Sequence, residues 1–391
     1  MSYRQNNSFK KFIRKIHLWL GLSSGLIVCF LGITGCILAF ELEIRSMTEQ
    51  YRNVSIEKKS YLPPSVLSEK ARPHMLSQSV LGIEYPGAGK AAVAAYYDLQ
   101  ENYELVFLNP YTGEVLKHKD MTKDFFRIIL DGHFYLWLPH HIGQPIVASA
   151  TLIFVILMIT GLILWWPRKK GVVKQRFTIK WNARWRRKNY DLHNVLGFYM
   201  SWIAIFLALT GLVFGFQWFA RSVYFVTSGG EPMVEHAHPL SDTTKPVMIA
   251  NMADHLWNDY RTQVKSNESM GVYFAHLPTD PLEVVINHRP GTYYNSDFFH
   301  FDQYTGNLLE APGSYNGRFA DASLADKIVR MNYDMHVGAI LGLPGKLLAF
   351  FASLIAASLP ITGFLIWWGR KKKARRISQA NVVYYSNQQL L

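Results

Sequence analysis

Residues 17–41 read HLWLGLSSGLIVCFLGITGCILAFE, and residues 193–217 read HNVLGFYMSWIAIFLALTGLVFGFQ. The two stretches align without a gap at an offset of 176: His17 on His193, Gly21 on Gly197, Thr34-Gly35 on Thr210-Gly211. Further along, ITGLILWWPRKK (159–170) recurs as ITGFLIWWGRKK (361–372). Each half therefore reads as helix, long insert, helix. The four apolar runs, 17–41, 143–166, 191–219 and 340–368, each exceed the roughly 20 residues that span a bilayer and carry no Lys, Arg or Asp at their centres. In lipid, backbone polar groups must be satisfied within the segment, so the runs are expected to be helices. The fold class is an α-helical membrane protein, a four-helix transmembrane bundle from two tandem repeats.

The net charge of +13 suggests nucleic acid until it is mapped along the chain. Segments 1–16, 167–190 and 369–391 hold 21 of the 41 Lys and Arg and no acid; the remainder has 20 basic and 28 acidic residues. That is positive-inside asymmetry. It places the N-terminus (1–16), the basic loop (167–190) and the tail (369–391) in the cytoplasm, and the inserts 42–142 and 220–339 in the periplasm of a bacterial inner membrane. Anionic lipid and topology account for the basic segments, and no nucleic-acid partner is expected. Trp165-Trp166 and Trp367-Trp368 precede basic clusters, as interfacial anchors do. The first apolar stretch is too long for a signal peptide. Ile33-Thr34-Gly35-Cys36 resembles a lipoprotein cleavage site only faintly. Cys29 and Cys36, the two cysteines, both lie in helix 1, so the inserts have no disulfide framework.

The inserts repeat as well. ELVFLNPYTGEVL (104–116) matches FFHFDQYTGNLLE (298–310): apolar strands flanking a Tyr-Thr-Gly turn whose glycine supplies a positive φ. AAVAAYYDL (91–99) and LEVVINHRP (282–290) read as partner strands. Each insert is expected to be a separate α+β module of about a hundred residues. The first should be preceded by a serine-capped helix near Pro64-Ser65.

Among fourteen histidines, two pairs stand out by symmetry. His17 and His193 open helices 1 and 3 at the cytoplasmic face, with Gly21 and Gly197 one turn on, where a porphyrin edge would pass. His133 and His336 precede helices 2 and 4 on the other side. Paired imidazoles suit low-spin haem b used for electron transfer, and the two pairs predict two haems with these four residues as iron ligands. From His133 to Trp166 is about 50 Å if wholly helical, longer than a membrane core. Pro139, Gly143 and Pro145 must then break the segment, which makes His140 and His141 rival ligands. Thr-Gly occurs in all four helices, at 34–35, 160–161, 210–211 and 362–363. It reads either as close helix packing or as room for a flat macrocycle. Helices 1 and 3 would offer it at the outer level, and helices 2 and 4 at the inner one.

Other motifs are weaker. His236 and His238 form an H-x-H on a loop, a thin zinc signal. His74, His118, His255, His276, His288 and His300 show no partner in the sequence. PGAGKA (86–91) lacks the spacing and the Ser or Thr of a phosphate loop and reads as a tight turn. No dinucleotide fingerprint, hydrolase triad or H-E-x-x-H is present.

The helix-opening IHLWLGLSSG, the strand-turn NPYTGEVL and the ending ITGLILWWPRK resemble the PepSY-associated transmembrane family over nearly the whole chain. Within it, the chain is similar to four-helix inner-membrane proteins linked to iron uptake, among them ferric-siderophore reductases. The resemblance implies PepSY-like inserts and haem held by His17, His193, His133 and His336. It also implies one-electron reduction of a periplasmic ferric siderophore, which loosens a hard-oxygen chelate's hold on iron. Some relatives carry a fused flavin reductase; here 23 residues follow helix 4, so a quinol or a partner reductase is the expected donor. TYYNSDFFHFDQY (292–304) is a candidate substrate surface. Two other functions compete: a non-enzymatic periplasmic binding or regulatory module, and a permease component for the chelate.

Overall fold

The computed structural model describes residues 2–76, 78–98, 102–167 and 173–388, with no side-chain description at 2–7 and 373–388. The basic run at 168–172 lies outside the described residues. Along the chain come α1 (Ser2–Leu38), α2 (Glu41–Thr48), α3 (Pro64–Ala71), then strands β1 (Gly82–Tyr85), β2 (Ala92–Tyr97), β3 (Tyr103–Leu108) and β4 (Val115–Asp120). Next are α4 (Phe125–Tyr135), α5 (His140–Trp165), α6 (Val173–Phe177), α7 (Trp185–Gly215), α8 (Gln217–Thr227) and α9 (Met252–Arg261). Strands β5 (Ser269–Tyr273), β6 (Leu282–Asn287), β7 (Ser296–Phe301) and β8 (Leu308–Leu309) precede α10 (Leu324–His336) and α11 (Leu343–Gln388). The chain divides into a helical unit (1–39, 132–216, 343–391) and a sheet unit (40–131, 217–342).

In the helical unit, α1, α5, α7 and α11 are each long and apolar enough to cross a membrane. They form a ring in which α1 packs on α5 and α11, and α7 on the same two. Small residues set the spacing: a Cβ on Gly32 would fall 2.6 Å from the Ser353 carbonyl, and one on Gly215 2.6 Å from Ala148. Val28, Phe154, Leu157, Met158, Ala204 and Ala208 fill the centre. Outward, Leu26, Trp202, Phe206, Leu354 and Phe364 are exposed, a burden of apolar surface that water would not tolerate but acyl chains accept. Helices α1 and α7 begin well before His17 and His193, so these histidines sit inside the helices rather than opening them. Of the tryptophan pairs, Trp166 and Trp368 are exposed, but Trp165 is buried and stacked on Phe198 at 3.7 Å; only one of that pair suits an interfacial anchor.

The expected break before the second membrane helix lies at residues 136–139. Leu136 and Trp137 take positive φ (55° and 56°), and α5 then starts at His140. Gly143 lets the chain fold back, since a Cβ there would lie 2.0 Å from the Tyr135 carbonyl oxygen.

The sheet unit differs from the expectation of two separate modules. All eight strands join one antiparallel sheet in the order β4-β3-β2-β1-β5-β6-β7-β8, and β1 pairs with β5 over Gly82–Tyr85. Left apart, each module would present an unpaired edge strand; edge-to-edge pairing satisfies both. The order runs outward from this junction alike on either side. The two Tyr-Thr-Gly turns close the β3–β4 and β7–β8 hairpins as expected, with Gly113 at φ 73° and Gly306 at φ 71°. One sheet face carries the core, where Ile83, Ala94, Val272 and Val284 meet Leu67 of α3 and Trp257 of α9. The expected serine cap is not made: Pro64 is the first residue of α3, and the Ser65 backbone N–H donates to Asp254 of α9 at 2.9 Å. Arg45, buried on α2, pairs with Glu41, Glu49 and Asp124, a cluster with no signal in the sequence.

Candidate functional site

A cavity of about 540 Å³ opens inside the helical unit, within the range of cofactor and small-molecule pockets. His17 of α1 and His193 of α7 line it from opposite corners of the ring. Their ring centroids are 6.4 Å apart and the ring planes cross at 85°. Gly21 and Gly197 line the same space, and Leu157 and Phe154 close it on the apolar centre.

Each imidazole is seated by the Thr-Gly pair of a neighbouring helix. His17 Nδ1 lies 2.9 Å from Thr160 Oγ1, and His193 Nδ1 lies 2.9 Å from Thr362 Oγ1. The threonine hydroxyls are already committed as donors: Thr160 to the Ile156 carbonyl at 2.8 Å, Thr362 to the Ser358 carbonyl at 3.0 Å. The oxygen can then only accept, so Nδ1 carries the proton and Nε2 keeps its lone pair. This is the arrangement by which a partner on one ring nitrogen fixes the tautomer and aim of a ligating histidine. The adjacent glycines make room for the rings. A Cβ on Gly161 would meet His17 Cε1 at 3.4 Å, and one on Gly363 would meet His193 Cε1 at 3.2 Å. The Thr-Gly pairs of α5 and α11 thus seat the imidazoles of His17 and His193, and their glycines also line the cavity.

His133 is seated in the same way, one level away. Its Nδ1 lies 2.8 Å from Thr34 Oγ1, the Thr34 hydroxyl donates to the Phe30 carbonyl at 3.0 Å, and Gly35 lies against the ring. His336 ends α10 in the sheet unit. His140 and His141 are both exposed in the first turn of α5, whereas His133 is half-buried. Thr210 has the same back-bonded hydroxyl, donating to the Leu207 carbonyl at 2.8 Å.

The cavity wall also carries Lys10, Arg14, Arg176 and Arg370, and among the described residues no Asp or Glu lines it. Read from sequence, these cations served only topology; their convergence on one pocket was not visible there. Asn189 is a further unforeseen contributor: buried, it donates to the Thr362 carbonyl at 3.0 Å and so braces the residue that seats His193. The stretch 292–304, a candidate substrate surface, is mostly strand β7 and its turn. Phe299 and Phe301 pack on the core, and Asp302 is buried and accepts the Thr305 N–H.

The arrangement fits a bis-imidazole haem. An imidazole nitrogen sits about 2 Å from a transition metal, with the ring centroid roughly 1 Å behind it, so two imidazoles that shared one metal ion would have centroids up to about 6 Å apart. The observed 6.4 Å matches. The apolar walls suit a porphyrin face, and the four cations suit its two carboxylates.

The sequence matches the family described as PepSY-associated TM region over residues 14–370, and the chain belongs to that family. It is a membrane protein of four apolar helices with an inserted α+β unit. No curated protein matches the chain.

Proposed function

We propose that the chain is a haem-dependent reductase of the bacterial inner membrane, with both termini cytoplasmic, that passes electrons to a ferric chelate such as a siderophore in the periplasm. The observation that carries this reading is the facing pair His17 and His193, each with Nδ1 engaged by a threonine and Nε2 left to ligate. A b-type haem held there supplies a one-electron couple. The chain's own part is to bind and aim. His17 and His193 would hold the iron, Thr160 and Thr362 fix their tautomers, and Lys10, Arg14, Arg176 and Arg370 would receive its carboxylates. Phe154, Leu157 and Met158 keep the cavity dry. His133, seated likewise, is assigned to a second haem. The proposed electron donor is a quinol or a reductase.

The test is the absorption spectrum of detergent-purified protein, oxidised and then reduced with dithionite, with haem quantified as its pyridine adduct. Two b-type haems per chain are expected, and His17→Ala or His193→Ala should each remove one. The reduced protein should then be reoxidised by a ferric hydroxamate, with Fe(II) appearing in a chromophoric trap. Colourless protein made with ample haem would replace this reading with the binding module; coloured protein that the chelate cannot reoxidise would leave an electron carrier with another acceptor.

A further inference from the structure

We propose that His238, Glu283 and His300 of the sheet unit, with His236 beside them, form a binding site for a divalent first-row transition-metal ion such as Zn²⁺ or Fe²⁺. The site is distinct from the histidines of the helical unit and stands whether or not that unit carries haem.

Strand register builds its floor. Glu283 of β6 and His300 of β7 are direct cross-strand partners, so both side chains leave the sheet on the face opposite the core. Their neighbours alternate as the pleat requires: Leu282, Val284 and Phe301 pack into the core. Glu283 Oε1 and His300 Nε2 are 3.6 Å apart, too far for a hydrogen bond.

His300 is the observation that points to a ligand. It is fully buried (0 % exposed), and among the described residues neither ring nitrogen has a hydrogen-bond partner. An imidazole so placed has lost its water, and Glu283 Oε1 at 3.6 Å is too far to replace it with a hydrogen bond. Buried polar groups without partners are rare and call for an explanation. A bound cation at Nε2 is one.

The H-x-H segment supplies the roof. One ligand atom each from His238, Glu283 and His300 lies within 4.8 Å of the other two. The His236 ring is 5.2 Å from His238 and 6.4 Å from His300. The segment is tethered on both sides: Glu235 accepts from Arg221 at 2.6 Å, and the Ser241 N–H donates to the Thr279 carbonyl at 2.9 Å. Gly313, at φ 86°, lets it lie close, since a Cβ there would be 3.0 Å from His236 Cα. Donors sharing one tetrahedral ion lie roughly 3.4 Å apart. Closing the present spread takes at most about 1.5 Å, which His238, exposed on its loop, can supply.

The donor set selects the ion class. Imidazole with one carboxylate favours Zn²⁺, Fe²⁺ and their neighbours over Ca²⁺ or Mg²⁺, which take oxygen. No thiolate is at hand, because both cysteines lie in α1.

The test uses the full-length protein in detergent, washed with chelator and dialysed against Zn²⁺. Bound zinc is counted by elemental analysis, and affinity is set by competition with a chromophoric zinc chelator. Wild type should hold one Zn²⁺ in excess of the His238→Ala variant, whose exposed position should leave folding intact. His238→Ala and Glu283→Gln should each weaken binding roughly tenfold or more, since even partners of ligands contribute that much. His288→Ala serves as control and should bind as wild type does, because both its ring nitrogens are engaged by carboxylates. Zinc uptake by wild type equal in amount and affinity to that of His238→Ala and Glu283→Gln would overturn the proposal, as would no uptake at all.

Discussion

His193 in the helical unit and His300 in the sheet unit are both drawn out of water, yet they are treated in opposite ways. His193 has a threonine on Nδ1 and a glycine beside its ring. His300 has neither nitrogen engaged among the described residues, and a carboxylate faces it across the strand ladder. A seated imidazole has one tautomer and one direction, which suits a permanent axial ligand. An unseated one waits for whatever completes it, which suits an ion that comes and goes. A third case lies on the same sheet: His288 has Glu268 at 3.2 Å on Nδ1 and Asp297 at 2.9 Å on Nε2, and has nothing left to ligate with. A histidine's role is thus set less by its own burial than by which of its nitrogens the fold has already used.

The strongest way to break the comparison is to remove a seat. Thr362→Val keeps the shape but strips the acceptor from His193 Nδ1, and haem affinity should fall about 10–100-fold. Titration of the haem-depleted protein measures this, and Thr362→Ser should restore most of the loss. Equal affinity in all three proteins would mean that the threonine only packs. A smaller effect is expected from Gly363→Ala, whose added methyl would sit 3.2 Å from His193 Cε1. Crowding of this sort costs about 1 kcal/mol, seen as a several-fold weaker haem titration and a shifted reduced spectrum. An unchanged spectrum would show that the ring can yield freely.

The smallest effect concerns His288. Burial opposes its charge, but the hydrogen bonds to Asp297 and Glu268 outweigh it and hold the imidazole above its ordinary value. A raised value in the folded state gives stability that is complete below the unfolded value. It is lost as pH rises through the folded one. Thermal melts of the whole protein should therefore decline on raising pH through this window, and His288→Gln should flatten that dependence. A slope that survives the substitution would assign it to another group.

Much of the helical unit was legible because apolar length and Lys/Arg placement are one-dimensional signals. That His17 and His193 belong together was legible because they repeat, and both line one cavity. The seats were not: Thr-Gly in a membrane helix looks the same whether it packs a neighbouring helix or receives an imidazole, and only three-dimensional adjacency separates the two. The break at Leu136 and Trp137 ran against propensity, since bulky residues rarely take a left-handed backbone; the hints were the length of the segment and Pro139 just beyond it. His300 read as one more residue of the FFHF strand, because the histidines that approach it come from a loop more than sixty residues earlier. Pairing of β1 with β5 left no mark in either strand, since an edge accepts any backbone.

That junction has a consequence for biogenesis. Strand β1 is made before α5 and α7, and β5 after both. The ladder from Gly82 to Tyr273 therefore closes only when the second half of the chain has been synthesised. Until then the first hairpins present a bare edge to other half-made chains, the condition under which strands mispair. Contacts this distant in sequence also form slowly. Completion of the sheet therefore waits on the second half of the chain, and a chain stalled after α5 leaves the first half with an unfinished sheet.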